Sequence, residues 1–351
     1  MQFPGNSKPP VGMIFDSDMG NRVDTALAMA IMYGLDGKNE ARVVSVSVSK
    51  SNLKSAALSE VIGRFYAGAV NGGFASVGRT LPVGMGDDPR DAKDTPMFAI
   101  LEKKDDKGAP VYQHGIHKLV DTAEVPALFR NALTSQQDGN CMVILAGPAT
   151  NLARGLALPD AKDWITKKVR YLVISGGAFN GNAAEPHIKA DIVAARKLLA
   201  EWPGQIVFAP AEVGAAFPYP ADSIEKDFTW SPNHPVVDAY RAYKPMPYDA
   251  PSWDMAAVLY AVRPQENYFK LSEPGVVSVL DDGRTKFTPS PKGMHRYLIA
   301  DPSQKEKIIK AYAELASAKP VVRQFRFRNQ KKAADPVKDP AKEPAKPEAK
   351  P

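Results

Sequence analysis

The chain has 351 residues, 44% of them apolar and 24% charged; that length can bury a sizeable core, and that balance excludes a disordered chain or a membrane one. No run approaches the roughly 20 apolar residues that a bilayer-spanning helix needs. The net charge of +6 does not point to nucleic acid, because the last 21 residues hold six lysines against four acids, +2 of the total, and no basic stripe interleaved with aromatics exists elsewhere.

Taken in chain order, the apolar runs MIF at 13–15, VVSVSVS at 43–49, LPVG at 81–84, MVILAG at 142–147, VRYLVISGG at 169–177 and IVFAPAEV at 206–213 predict strands. Segments 23–35, 53–66, 188–201 and 254–262 carry apolar residues at helical spacing. Alternating strand and helix predicts an α/β fold, an open and mostly parallel sheet with helices on both faces. From 268 to 300 the runs FKL, GVVSVL, TKFTPS and MHRYLIA, with DDG as a turn, predict a small antiparallel β appendage. A last helix is expected at about 303–317, with Ile308, Ala311, Tyr312 and Leu315 on one face. The single cysteine, Cys141, opens an apolar run, so a buried strand residue is expected and an intramolecular disulfide is excluded.

These elements divide the chain into an N-terminal extension over 1–11, a domain over 12–328 and a Lys/Pro/Ala/Glu tail over 329–351, which is expected to be disordered because it cannot bury enough apolar surface. The start, MQFPGNSKPPVG, has no apolar signal core; a cytoplasmic location is expected as written, or a periplasmic or secreted one if the sequence is a mature or trimmed form.

Ligands of open α/β sheets bind at the carboxyl ends of the strands. Four predicted strand ends here are polar or glycine-rich: DSDMGN, KSN, GPATN and GGAFNGN. Asp16, Asp18 and Asp24 gather carboxylates beside a helix N-terminus, a donor set that suits a hard cation such as Ca²⁺. Turn formation by Asp16 and Asp18, and a favourable dipole contact for Asp24, explain the same residues equally well. Asn52 and Asn151 both stand where helix caps are common, and Asp254 opens the helix WDMAAVLYAV.

The set as a whole resembles the inosine-uridine-preferring nucleoside hydrolase family, in the branch whose first motif has the long form D-x-D-M-G-N-D-x-D-D-A-L-A. The resemblance rests on DSDMGNRVDTALA at 16–28, KSN at 50–52, GPATNLA at 147–153, GGAFNGNAAEPH at 176–187 and PSWD at 251–254, and covers about 12–318. It implies hydrolysis of the N-glycosidic bond of a nucleoside or related ribosyl compound by a Ca²⁺-bound water. By position it implies metal ligands at Asp18, Thr150 and Asp254, with Asp16 and Thr25 as further candidates, and Asp18 as the catalytic base. It places the substrate against Asp24, Asn52, Asn182, Glu185, His187 and Trp253. A small-molecule nucleoside or ribosyl ligand is implied as partner, and homo-oligomers are common among such proteins.

The match departs at four positions. Thr25 stands where the family has a charged metal ligand, and Arg22 where the long-form branch has another aspartate. His187 replaces an asparagine, and Trp253 replaces the histidine that many purine-cleaving members use to protonate the leaving base; an indole cannot supply that proton. Two further readings therefore stand beside the hydrolase: a family member that has lost catalysis and kept a ligand-binding cleft, and a haloacid-dehalogenase-like phosphotransferase with Asp16 as nucleophile and GDD at 86–88. The last leaves GPATN, GGAFNGN and PSWD without a role.

Overall fold

The structure is a computed structural model and describes residues 9–67, 81–86, 89–181 and 183–321. The expected tail, most of the N-terminal extension, Asn182, and Asp87 and Asp88 of the GDD lie outside the described residues.

The described strands are β1 (Val11–Ser17), β2 (Ala41–Val48), β3 (Val83–Met85), β4 (Cys141–Ala146), β5 (Val169–Ser175), β6 (Ile206–Ala209), β7 (Lys270–Leu271), β8 (Gly275–Val279), β9 (Thr285–Pro289) and β10 (His295–Ile299). They form one sheet in the order β3-β2-β1-β4-β5-β6-β10-β8-β9, with β7 on β10. Pairing is parallel from β3 through β6 to β10, and antiparallel only from β10 to β7 and β8 and from β8 to β9. The antiparallel part expected at 268–300 is thus an extension of the main sheet, joined to it through β10.

Strand pleating sends alternate residues to opposite faces, and β1 shows this directly. Met13 and Phe15 join a core with Met29, Leu58 and Leu259 from helices Val23–Gly37, Leu53–Tyr66 and Trp253–Val262. Ile14 joins a second core on the other face with Leu133, Leu152 and Leu198 from helices Val125–Thr134, Thr150–Gly155 and Ile192–Glu201. Both faces of the sheet are therefore covered, as the nearly continuous apolar runs of its parallel strands require. No described helix is long and apolar enough to cross a membrane.

Three expected elements are refined. The run at 206–213 is a strand only to Ala209; Pro210 removes a donor and opens the helix Ala211–Ala216. The helix expected over 188–201 is broken at Asp191 (φ −148°, ψ 78°), whose side chain accepts from the Ala194 amide at 3.0 Å and starts a new helix. The last helix runs Lys305–Ala316 behind a 3₁₀ turn at Pro302–Gln304, and buries Ile308, Ala311, Tyr312 and Leu315 as its spacing predicts.

That last helix braces helix Val23–Gly37, which leads directly out of the DSDMGN segment. The contact is close enough to require glycine: a Cβ added at Gly34 would lie 2.2 Å from the Leu315 carbonyl oxygen. Alanine normally stabilises a helix interior relative to glycine, but here it must push two helix backbones apart. Gly34→Ala is expected to destabilise the protein by about 1–3 kcal/mol, read as a lower urea midpoint at unchanged slope.

Candidate active site

Strand β1 lies between β2, which follows it in the chain, and β4, so a crevice opens at the carboxyl ends of β1 and β4. Four of the polar motifs converge there. Gly147, just past β4, lets the two strand ends approach: a Cβ at this position would stand 2.7 Å from the Asp18 backbone nitrogen.

Asp16 is fully buried at the end of β1. Its register partner on β2 is Ser47, whose hydroxyl donates to Asp16 Oδ1; Asn151 Nδ2 donates to the same oxygen at 2.7 Å. Oδ2 has no partner. Burial pushes this carboxyl up to about 7 against the two hydrogen bonds, helped by the nearby Asp18 charge. Asn151, for which a capping role was open, instead points into the site, and the cap position of its helix is Ala149.

Asp254 is the second fully buried carboxylate, at the start of helix Trp253–Val262. Ser175 Oγ, at the end of β5, donates to Oδ1 at 2.6 Å, and Thr25 Oγ1 donates to Oδ2 at 2.5 Å. The Arg22 guanidinium lies 3.3 Å from Oδ1 and 3.7 Å from Glu185 Oε1, with only 15% of its side chain exposed. It also lies over the Trp253 ring, 4.9 Å from the centroid, and Trp253 is held by its indole N–H donating to the Ala211 carbonyl at 3.0 Å. Burial opposes the Arg22 charge, yet Asp254, Asp24, Asp18 and Glu185 together raise its pKa further above an already high value. Asp24 completes this layer: its Oδ2 accepts from the Asp254 amide at 2.8 Å, and burial and the neighbouring Asp254 raise its carboxyl.

Asp18 faces the opening. Asn21 donates to its Oδ2 at 2.9 Å, His187 Nε2 lies 3.4 Å from the same oxygen, and Oδ1 has no partner. Burial alone would raise this carboxyl, but His187, Arg22 and Asn21 outweigh it and hold the group down to about 2. His187 Nδ1 lies 2.8 Å from the Ser175 carbonyl and must carry a proton to donate to it. Nε2 then decides the state of the ring. Against Arg22, which it also touches, it accepts and the ring is neutral; against Asp18 it donates and the ring is charged. Burial and Arg22 disfavour the charged ring, while Asp18 and Glu185 favour it strongly enough to raise the pKa to about 9. Asp18 thus favours the imidazolium, while Arg22 Nη2, which lies against both ring nitrogens and nearer to them than to Asp254, favours the neutral ring.

A cleft of about 390 Å³ opens above this cluster, lined by Asp18, Asn21, Arg90, Asp91, Thr150 and His187 among others. Its rim is a second set of ion pairs: Asp191 accepts from Arg90 and from the Thr150 hydroxyl, each at 2.6 Å, and Asp91 accepts from the buried Lys50 at 2.6 Å and from Asn21 at 2.7 Å.

The structure thus gathers Asp16, Asp18, Asp24, Thr25, Glu185, His187, Trp253 and Asp254 around Arg22, with Thr150 at the cleft rim. Asn52 stands apart, capping helix Leu53–Tyr66 by accepting from Lys54 N and donating to Ala92 and Asp94. Glu185 also caps the short helix Pro186–Ala190, through the Ile188 amide at 3.1 Å. Phe179 packs against Phe208, Phe287 and Tyr297 rather than facing the cleft. Ser47, Ser175, Asn21, Asp91 and Asp191 are members that the sequence did not single out; only strand register, as for Ser47 opposite Asp16, would have found any of them. The phosphotransferase reading is disfavoured, since its nucleophile Asp16 is fully buried and doubly hydrogen-bonded, with its carboxyl pKa raised by burial.

Ca²⁺ takes six to eight oxygen ligands. Here both Asp254 oxygens already accept hydrogen bonds, Thr25 spends its one oxygen on Asp254, and the group facing Asp254 and Glu185 is a donor-only guanidinium. Among the described residues no three His, Cys, Asp or Glu side chains are disposed to hold a metal ion. Among the site's carboxylates that leaves Asp16 Oδ2 and Asp18 Oδ1 buried without partners, too few for the six to eight oxygens of a Ca²⁺ shell, so this donor set does not fit the ion.

Two consequences can be measured. Arg22→Ala would leave Asp254 and Glu185 buried without their cation, and an expected loss of about 3–5 kcal/mol can be read by urea denaturation. Asp16 binds its proton more tightly folded than unfolded, so the native state holds more protons between pH 4 and 7 and stability falls as pH rises through that window. Asp16→Asn keeps the acceptor for Ser47 and Asn151 and is expected to make that slope shallower, seen by comparing melting temperatures at pH 5 and 7.

The chain matches the family model described as inosine-uridine preferring nucleoside hydrolase over residues 13–317. A sequence comparison with curated proteins returns no match. Among solved structures it is similar to a plant nucleoside hydrolase (18% identity, 88% of this chain and 100% of that one covered, TM-score 0.63). It is also similar to a purine-preferring ribonucleoside hydrolase from Gardnerella vaginalis (15%, 87% and 98%, TM-score 0.63). A third is the type III effector protein XopQ complexed with adenosine diphosphate ribose (14%, 90% and 96%, TM-score 0.63). At these identities the solved structures establish the fold, and the family model establishes descent: the chain belongs to the inosine-uridine preferring nucleoside hydrolase family, the nucleoside N-glycosyl hydrolases.

Proposed function

We propose that this chain hydrolyses the N-glycosidic bond of a nucleoside or related ribosyl compound in the cleft above β1 and β4, with Asp18 taking the proton of the attacking water. One observation carries the reading: Asp18 lines the cleft and is held ionised by its cationic neighbours, with one buried oxygen, Oδ1, left without a hydrogen-bond partner. Cleavage of an N-glycosidic bond passes through an oxocarbenium-like sugar. A carboxylate that accepts a proton from water serves that step, and fixed negative charge around the sugar favours it electrostatically.

The ribose hydroxyls need acceptors as well as donors. Asp18 supplies a carboxylate acceptor, and Asn21, Arg90 and Thr150 line the same cleft, where their hydrogen bonds to Asp18, Asp91 and Asp191 hold them in place. The expected Ca²⁺-bound water is not part of the proposal, because the donor set does not fit the ion. Adenosine diphosphate ribose, bound by the similar effector, belongs to the ribosyl compounds worth testing.

A second reading, ligand binding without turnover, is favoured by Trp253. It stands where a proton donor to the leaving base would be expected, and its one N–H is committed to the Ala211 carbonyl. The assay that separates the two is free ribose release from a nucleoside panel that includes inosine and uridine. Release by the full chain is expected; binding of inosine or adenosine diphosphate ribose with no ribose from any nucleoside would replace hydrolysis by the second reading. Asp18→Asn is expected to lower kcat by roughly 10²–10⁴-fold while leaving inosine binding measurable.

A further inference from the structure

We propose that Arg22 is a built-in replacement for the divalent cation of this family, and that the site takes its ribosyl ligand without added metal. The inference rests on the hydrolase-family reading of the cleft. It is carried by where the four departures from the family pattern fall. Arg22 contacts Asp254, Glu185 and His187 and stacks on Trp253; Thr25 donates to the other oxygen of Asp254. Arg22, Thr25, His187 and Trp253 therefore meet in one place, beside Asp254 and Glu185. Both oxygens of Asp254 are occupied, while Asp16 Oδ2 and Asp18 Oδ1 are buried without partners.

The position of Arg22 on its helix points the same way. It is the residue preceding helix Val23–Gly37, in an extended conformation, and its side chain makes no capping hydrogen bond. Aspartate, asparagine, serine or threonine is favoured there, and a cation works against the helix dipole. Helix formation therefore gives no reason for arginine at this position, whereas the carboxylates of Asp254 and Glu185 do. A guanidinium holds its charge at any ordinary pH and offers five donors in a plane. It can bridge two carboxylates while its face rests on an aromatic ring, as it does between Asp254, Glu185 and Trp253.

The test uses the full chain, purified and stripped with EDTA. Calorimetric titration with Ca²⁺ up to roughly millimolar, the weak end of biological Ca²⁺ sites, is expected to show no one-to-one binding, and the melting temperature is expected to be the same in EDTA and in Ca²⁺. Binding of inosine and of adenosine diphosphate ribose is expected to be equal in the two conditions. The double variant Arg22→Asp with Thr25→Asp is expected to gain one Ca²⁺ and a melting temperature that rises with Ca²⁺ concentration. One-to-one Ca²⁺ binding by the unmodified chain, or ligand binding only when Ca²⁺ is present, would overturn the proposal; so would a folded double variant that binds no Ca²⁺. If the double variant does not fold, the titration of the unmodified chain decides. If neither ligand binds in either condition, the proposed function fails, while the Ca²⁺ titration still decides the role of Arg22.

Discussion

The buried carboxylate of Asp254 is the constraint around which the active-site end of the fold is organised. An ionised carboxylate removed from water is costly unless it is paired and hydrogen-bonded. Two segments far apart in sequence meet that requirement, Arg22 and Thr25 at the first helix and Ser175 at the end of β5, while Asp24 accepts from the Asp254 backbone amide. Each contact also fixes the element that supplies it. The first helix, the fifth strand and the helix Trp253–Val262 are tied into one rigid corner beside the cleft.

That corner works because the sheet order brings the right strand ends together. With β1 between β2 and β4, the residues after β1 meet Ser47 from one neighbour and Gly147 and Asn151 from the other. Two carboxyls from one short motif are thereby shifted in opposite directions. Asp16, enclosed and with one oxygen unpartnered, has its pKa raised to about 7; Asp18, two residues on and beside cationic groups, has its lowered to about 2. The difference comes from surroundings alone, since the side chains are chemically identical.

Much of this was legible in the sequence. Apolar runs rich in β-branched residues mark the parallel strands, and the first motif marks the crevice. The charge of Arg22 and the neutrality of Thr25 were readable as residue types. Their partners were not, because Arg22 and Asp254 are separated by 232 positions and only the fold brings them within 3.3 Å. Ser47 and Ser175 look like ordinary strand serines, and nothing local marks them as donors to buried carboxylates. Asn151 shows the opposite limit: a residue type with a common local job, capping, was taken by tertiary structure for another. The break at Asp191 escaped for a similar reason, since an acid inside a helical pattern reveals its capping role only once its other oxygen is seen to receive Thr150 and Arg90.

Helix Val23–Gly37 is pinned at both ends, by the Arg22 cluster at its start and by the backbone of Leu315 against Gly34 near its finish. A helix held in this way has little freedom to slide or tilt. Position 22 is therefore a socket in a fixed frame, whose occupant can be exchanged without moving the walls. In such a frame the change between a mineral cofactor and a side chain needs no new fold and no new loop, only different residues at positions already facing the same carboxylates. Inheritance of the scaffold and inheritance of its chemistry can then part company within a single family.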